Sequence, residues 1–421
     1  MKIGELPPAA RVRARPGLPL LVAGVLVLAV NLRVAITSLP PIFPELESAL
    51  HVSASTLALL AAVPVLCFGV FSGAGAPLSR RFGDERVLGL ALGLLAVGLL
   101  LRSVSPKVLL FPGTIVAGAA IALMNVLLPS LVKRRVPERA GLVIGLYLLM
   151  LSGGAIVASL LAVPIFTAAG GGETSGSAAV RISLGVWAAP ALVAAVLWLP
   201  QLRYRALPEA PRPGGAPRTR QAGALAMRRF PLAWQVTLFM GLQSLIYYAT
   251  LSWFPTMFRD HGVSATHAGD LLALMNLGNA VTALLIPMLA QRAADQRRLV
   301  ALAMLATSAG LAGAVFGPTG GAVPFILVLG LGQGATLGLG IFYTMARAPD
   351  PVTAASLSAF SQGIGYLISS AGPLLIGLLH DVTGSWTVPG LVLLAVCAGT
   401  VIVGWLAGRA LTVPAAVAGV G

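Results

Sequence analysis

The stretches "APLSRRFGDERVL" (residues 76–88) and "IPMLAQRAADQRRL" (residues 286–299) decide the fold. Each runs proline, arginine, aspartate, then a further basic residue at nearly equal spacing. Each also closes the second apolar run of its half of the chain. Charged punctuation that recurs at equivalent points marks an internal repeat, and in a membrane chain such repeats form paired helical bundles.

Outward from these two marks, apolar runs fall at about 18–42, 54–79, 86–104, 107–131, 139–165 and 181–199. They resume at about 234–257, 267–290, 298–317, 322–346, 353–379 and 386–408. Each is long enough to cross a hydrocarbon core of about 30 Å. The 421 residues are 57% hydrophobic and 10% charged, with a mean hydropathy of +0.92. A soluble domain averages about 25% charged residues, so this composition excludes one. The runs do not alternate in short segments, which excludes a β-barrel. The fold class read here is an all-α membrane protein of twelve transmembrane helices in two six-helix bundles.

Charge orients the spans. Alternate connections and both tails hold 23 of the 28 Lys and Arg, and the remaining connections hold Arg102, Lys107, Arg181 and Arg259. That asymmetry predicts that the basic side is cytoplasmic. It also accounts for the net charge of +15 without nucleic acid, the basic residues lying near anionic lipid head groups. The connection at 200–231 carries seven Arg and six Pro and cannot pack a core, so it reads as a linker. The expected organisation is a cytoplasmic tail at 1–17, a bundle at 18–199 and a linker at 200–233. A second bundle at 234–410 and a tail at 411–421 complete it. The first apolar run is too long for a signal-peptide core. Cys67 and Cys397 both lie in apolar runs and suggest neither disulfide nor zinc.

Several stretches resemble the cyanate and 2-nitroimidazole transporter family of the major facilitator superfamily. They are "NLRVAITSLPPIFPEL" in span 1, "PVLCFGVFSGAGAPLSRRFGDERVL" through span 2 and "ALMNVLLPSLVKRRVPERAG" from span 4. The second half adds "FMGLQSLIYYATLSWFPTMFRDHGVSATHAGDLLAL" and "LSAFSQGIGYLISSAGPLLIGLLHDVTGSW". The resemblance covers nearly the whole chain. It implies the twelve-helix major facilitator fold, alternating access, and a cavity bounded by spans 1, 4, 7 and 10. One departure stands out. The superfamily's loop after span 2 usually reads G-x-L-A-D-R-x-G, and here Arg80 stands at that Asp, with Asp84 and Glu85 following. The loop positions Arg80, Arg81, Gly83 and Asp84, with Arg292 and Asp295 in the repeat, are the candidate gating residues.

Arg33 stands near the middle of span 1, where a charge costs about 2.5–3.5 kcal/mol on insertion scales. All thirteen acidic residues map to loops, tails or span ends, so a ligand is its expected partner. Residues four apart share a helix face, which pairs Arg33 with Thr37, Gln243 with Tyr247, and Gln362 with Tyr366. Together with Asn125 they form the expected substrate site, since polar groups in hydrocarbon must face the bundle or a wet cavity. Asn276 and Asn279 read equally as interhelical glue.

His51, His261, His267 and His380 all map to the side opposite the linker, as solvated loop positions. No metal site, catalytic residue or cofactor is expected, and no nucleotide-binding motif occurs. Glycines in "GLGQGATLGLG" (330–340) read as helix-contact sites. The expectation is a monomeric secondary transporter, not an enzyme. It would move a small anion or polar planar molecule, cyanate-like or nitroimidazole-like. The alternative is an efflux carrier of neutral or anionic compounds in which Arg33 is structural.

Overall fold

The computed structural model describes residues 18–171, 177–203 and 224–414. The expected tail at 1–17, the linker core at 204–223 and residues 415–421 lie outside the described residues. The described chain is helical, without a strand. The first half holds α1 (Leu18–Thr37), α2 (Ala54–Phe71), α3 (Asp84–Val104), α4 (Pro106–Arg135), α5 (Ala140–Ala168) and α6. The last is in two pieces, Ser177–Gly185 and Ala188–Trp198. The second half holds α7 (Pro231–Asp260), α8 (Ala265–Arg292), α9 (Arg297–Phe316), α10 (Ala322–Ala346), α11 (Pro351–Thr383) and α12 (Thr387–Ala407). Short helices at Phe43–Leu50 and Gly75–Phe82 follow α1 and α2. Helix α7 thus begins three residues before the expected boundary at 234.

Eleven of these segments are long and apolar enough to cross a membrane by composition. Helix α7 is the exception, though its 30 residues span about 45 Å at 1.5 Å per residue. The reason is position: 22 of those residues are buried against α8, α10, α11 and α12. A helix shielded from lipid on most sides can carry polar residues. The periphery is the reverse. Leu90 on α3, Val196 on α6, Leu302 and Leu305 on α9 and Ile402 on α12 are among the most exposed side chains, as a lipid-facing surface requires.

Local chemistry starts and stops the helices. Ser53 and Ser264 cap α2 and α8 by accepting from the Thr56 and His267 amides. Asp350 caps α11, accepting from the amides of Val352 and Thr353 and from the Thr353 hydroxyl, which hold its carboxyl below the usual range. Gly83 at φ 84° turns the chain into α3, a conformation that favours glycine. Asp84 and Glu85 then lie in the first turn, where the helix dipole favours carboxylates.

Gly330, Gly334 and Gly338 lay α10 against α8, and Gly332 lays it against α9. A β-carbon at Gly330 or Gly334 would run into the Met275 or Asn279 carbonyl, so "GLGQGATLGLG" is a contact ridge as read.

The repeat is visible in three dimensions. Arg135 at the end of α4 donates to Glu85 at the start of α3, and the Trp198 indole at the end of α6 donates to the Glu85 carbonyl at 2.8 Å. In the second half, Arg347 after α10 donates to Gln296 before α9 and to Ala407 at the end of α12. Gln296 therefore takes the place of Glu85.

Across the two halves α2 packs on α11 and α5 on α8. On the face away from the linker the halves meet. Arg259 Nη1 lies 2.8 Å from Glu45 Oε2, and Asp381 accepts from the Ser55 amide at 2.7 Å. Phe43 meets Trp253 edge-on at 5.8 Å.

Candidate substrate site

Helix α1 ends at Thr37 because Pro40 and Pro41 follow and cannot continue it. Arg102, read from sequence as a residue of a solvated connection, is instead 1% exposed. Helix α3 runs on to Val104, and the Arg102 guanidinium donates to the Ala35 carbonyl at 3.0 Å. A cation at a helix C-terminus complements the dipole, so Arg102 clamps the turn that follows Arg33.

Arg33 Nη1 lies 3.2 Å from the Tyr248 hydroxyl, which accepts. The guanidinium carbon sits 5.6 Å and 5.8 Å from the ring centroids of Tyr247 and Tyr248. These contacts join α1 of the first half to α7 of the second. No ion pair among the described residues involves Arg33. Tyr147 on α5 and Tyr366 on α11 lie within electrostatic reach of it. Tyr147 donates to Asn125 Oδ1 at 3.4 Å, and Tyr247 donates to Asn276 Oδ1 at 2.9 Å.

Of the seven expected site residues, Arg33, Asn125, Tyr247, Gln362 and Tyr366 keep partial exposure in the middle of the protein. The other two do not. Thr37 is fully buried and its hydroxyl donates to the Arg33 carbonyl at 2.9 Å, so it supports the arginine's own turn. Gln243 is buried, and its amide donates to the Met240 carbonyl and Ser244 on its own helix. Gln362 donates to Ser358 at 2.8 Å. Tyr147 and Tyr248 were not among the expected site residues. Their signal was rarity, since the chain has six tyrosines in all.

Toward the closed face, Ile36, Leu39, Phe43, Leu60, Tyr248 and Ser252 line a small cavity with room for about one water molecule. Tyr248 separates this plug from Arg33.

The loop motif behaves differently from the superfamily pattern. Asp84 pairs with Arg134 and Glu85 with Arg135, both within the first half. Arg80, Arg81 and Arg292 are exposed, Arg81 lying over the Phe82 ring. Asp295 contacts Arg297. Neither loop makes a described ion pair with the other half. His380, read as solvated, stacks on Trp386 at 3.9 Å and faces Asp260. No group of three or more metal-ligating side chains occurs among the described residues.

Two equivalent six-helix bundles that meet around a central cation define a multi-pass membrane transporter. The chain belongs to the Major Facilitator Superfamily, whose profile matches residues 25–373. It is 38% identical over 369 residues to the 2-nitroimidazole transporter of Escherichia coli, covering 88% of this chain and 90% of that one. It is 31% identical over 357 residues to the cyanate transport protein CynX of the same organism, covering 85% and 88%. The solved structure of the nucleoside transporter NupG matches with a TM-score of 0.74 at 12% identity. That match covers 92% of this chain and 100% of NupG, and it is a likeness of fold alone.

Proposed function

We propose that this chain carries a small anion or polar planar molecule across the cytoplasmic membrane by alternating access, with Arg33 as the binding charge. The observation that carries the reading is Arg33 itself, a guanidinium at mid-depth that meets both halves. Relatives named for 2-nitroimidazole and cyanate support the substrate range. Uptake of labelled cyanate and 2-nitroimidazole into proteoliposomes, with competition by other small anions, tests it. Transport that no anion competes with would remove the anion reading. An efflux carrier in which Arg33 only links the halves is the second reading, favoured by the Arg33–Tyr248 bond.

In this reading the basic face is cytoplasmic, and both termini and residues 200–231 lie inside. The monomer works as one unit in the bacterial inner membrane. Protease cleavage of the linker from outside intact cells would contradict the orientation.

Among the described residues no carboxylate pairs with Arg33, so coupling through a buried acid is not invoked. Asp270 is half-exposed and lies 3.9 Å from His267, one turn into α8. Asp270→Asn is expected to retain gradient-driven exchange. Its complete loss in a variant that still inserts normally would show that a proton relay runs through this acid.

A further inference from the structure

Besides the mid-depth bond from Arg33 to Tyr248, polar contacts join the halves on the face away from the linker. Arg259 in the last turn of α7 pairs there with Glu45 on the short helix after α1, their side chains 24% and 16% exposed. Asp381 near the end of α11 accepts from the Ser55 amide in the first turn of α2. The N-terminus of α2 is thus capped twice, by Ser53 of its own half and by Asp381 of the other. The helices around these contacts are close. A β-carbon at Gly377 would come within 2.5 Å of the Ala58 β-carbon, and one at Gly269 within 2.8 Å of the Ser159 carbonyl oxygen.

The basic face is arranged differently. Asp84 and Glu85 pair with Arg134 and Arg135, Asp295 contacts Arg297, and Asp350 caps α11, each within its own half. Arg80, Arg81 and Arg86 are exposed on the first half, and Arg292 and Arg298 on the second. Closing that face would draw these like charges toward one another, which costs free energy. Charge therefore favours closure on one face and opposes it on the other.

We propose that Glu45, Arg259 and Asp381 form a latch that gives the carrier a resting state closed on the face away from the linker. This latch presupposes the alternating access of the proposed function and is indifferent to what Arg33 binds. Removing one partner separates the two states. With the face closed, Arg259→Ala leaves the Glu45 carboxylate shielded and without its cation; with the face open, water hydrates it. The single substitution thus weakens the closed state alone, whereas removing both partners strands no charge.

Ser252 reports on the latch. It is buried on α7 and lines the small cavity beneath Phe43, with Tyr248 between it and Arg33. The experiment measures labelling of Ser252→Cys by a charged thiol reagent in the full-length protein in nanodiscs. The chain's two cysteines are removed as Cys67→Ala and Cys397→Ala. Arg259→Ala is expected to raise the labelling rate about 10-fold, between the small effect of an exposed pair and the large one of a buried pair. Glu45→Ala combined with Arg259→Ala should return it to within about 2-fold of the starting rate. Asp381→Ala, with Ser53 still capping α2, should raise it about 2- to 5-fold. Measurable labelling that Arg259→Ala leaves unchanged would overturn the latch and leave alternation standing. A rise that the double variant does not reverse would mean damaged packing, and overturns the latch as well. If the folded protein is never labelled, latched or not, alternation and the latch both fall.

Discussion

Arg33→Ala is expected to weaken substrate binding by about 10- to 150-fold while the protein still folds and inserts. A charged hydrogen bond contributes about 1.5–3 kcal/mol, and that range converts to this span of affinity. Arg33 is in none of the ion pairs among the described residues, so no carboxylate already neutralises its guanidinium. Arg33→Lys keeps the charge and loses the planar fork, so partial function is expected. Tyr248→Phe is the control, because it removes the 3.2 Å bond to Arg33 and keeps both the ring and the charge. If Arg33 binds substrate, Arg33→Ala exceeds Tyr248→Phe by an order of magnitude. If the two variants lose affinity equally, Arg33 serves as a clamp between the halves. Titration calorimetry on both variants separates these outcomes.

The largest stability effect is expected at the base of α3. Arg135→Ala leaves Glu85, whose side chain is 4% exposed, without its guanidinium. Stranding one member of a buried pair costs about 3–5 kcal/mol, and the low end applies because the Arg135 side chain keeps 27% exposure. Glu85→Gln should be far milder, about 1 kcal/mol, because it strands no charge away from water. The protein itself holds the precedent, since Gln296 accepts from Arg347 at the equivalent place in the second half. The shift in thermal unfolding midpoint in detergent measures both. Equal shifts for the two variants would contradict the asymmetry.

The eleven spans visible in composition were legible because lipid imposes a rule on each residue separately. A side chain facing hydrocarbon must be apolar, whichever helix lies behind it. The repeat was legible for a related reason. The marks at 76–88 and 286–299 are local charge patterns at a membrane surface. Arg33 was legible because a lone cation at mid-depth is an exception to the same rule. Helix α7 was legible as the run at 234–257, and its polar residues follow from burial by four neighbours.

What the tertiary structure decided was which polar groups meet. Gln243 and Tyr247 are four apart and share a face, yet Tyr247 reaches Asn276 while the Gln243 amide turns onto Met240 and Ser244. Thr37 shares a face with Arg33 and turns its hydroxyl to the backbone of its own helix. Tyr147 joins the site through α5, and Tyr248 through a bond between residues 215 positions apart. Arg102 left its surface because α3 runs on to Val104 between α4 and α6, and its guanidinium reaches across to the Ala35 carbonyl. Helical periodicity sets angles within one helix. Contacts between helices depend on how far each is rotated and which neighbour it faces, and those are properties of the packed bundle.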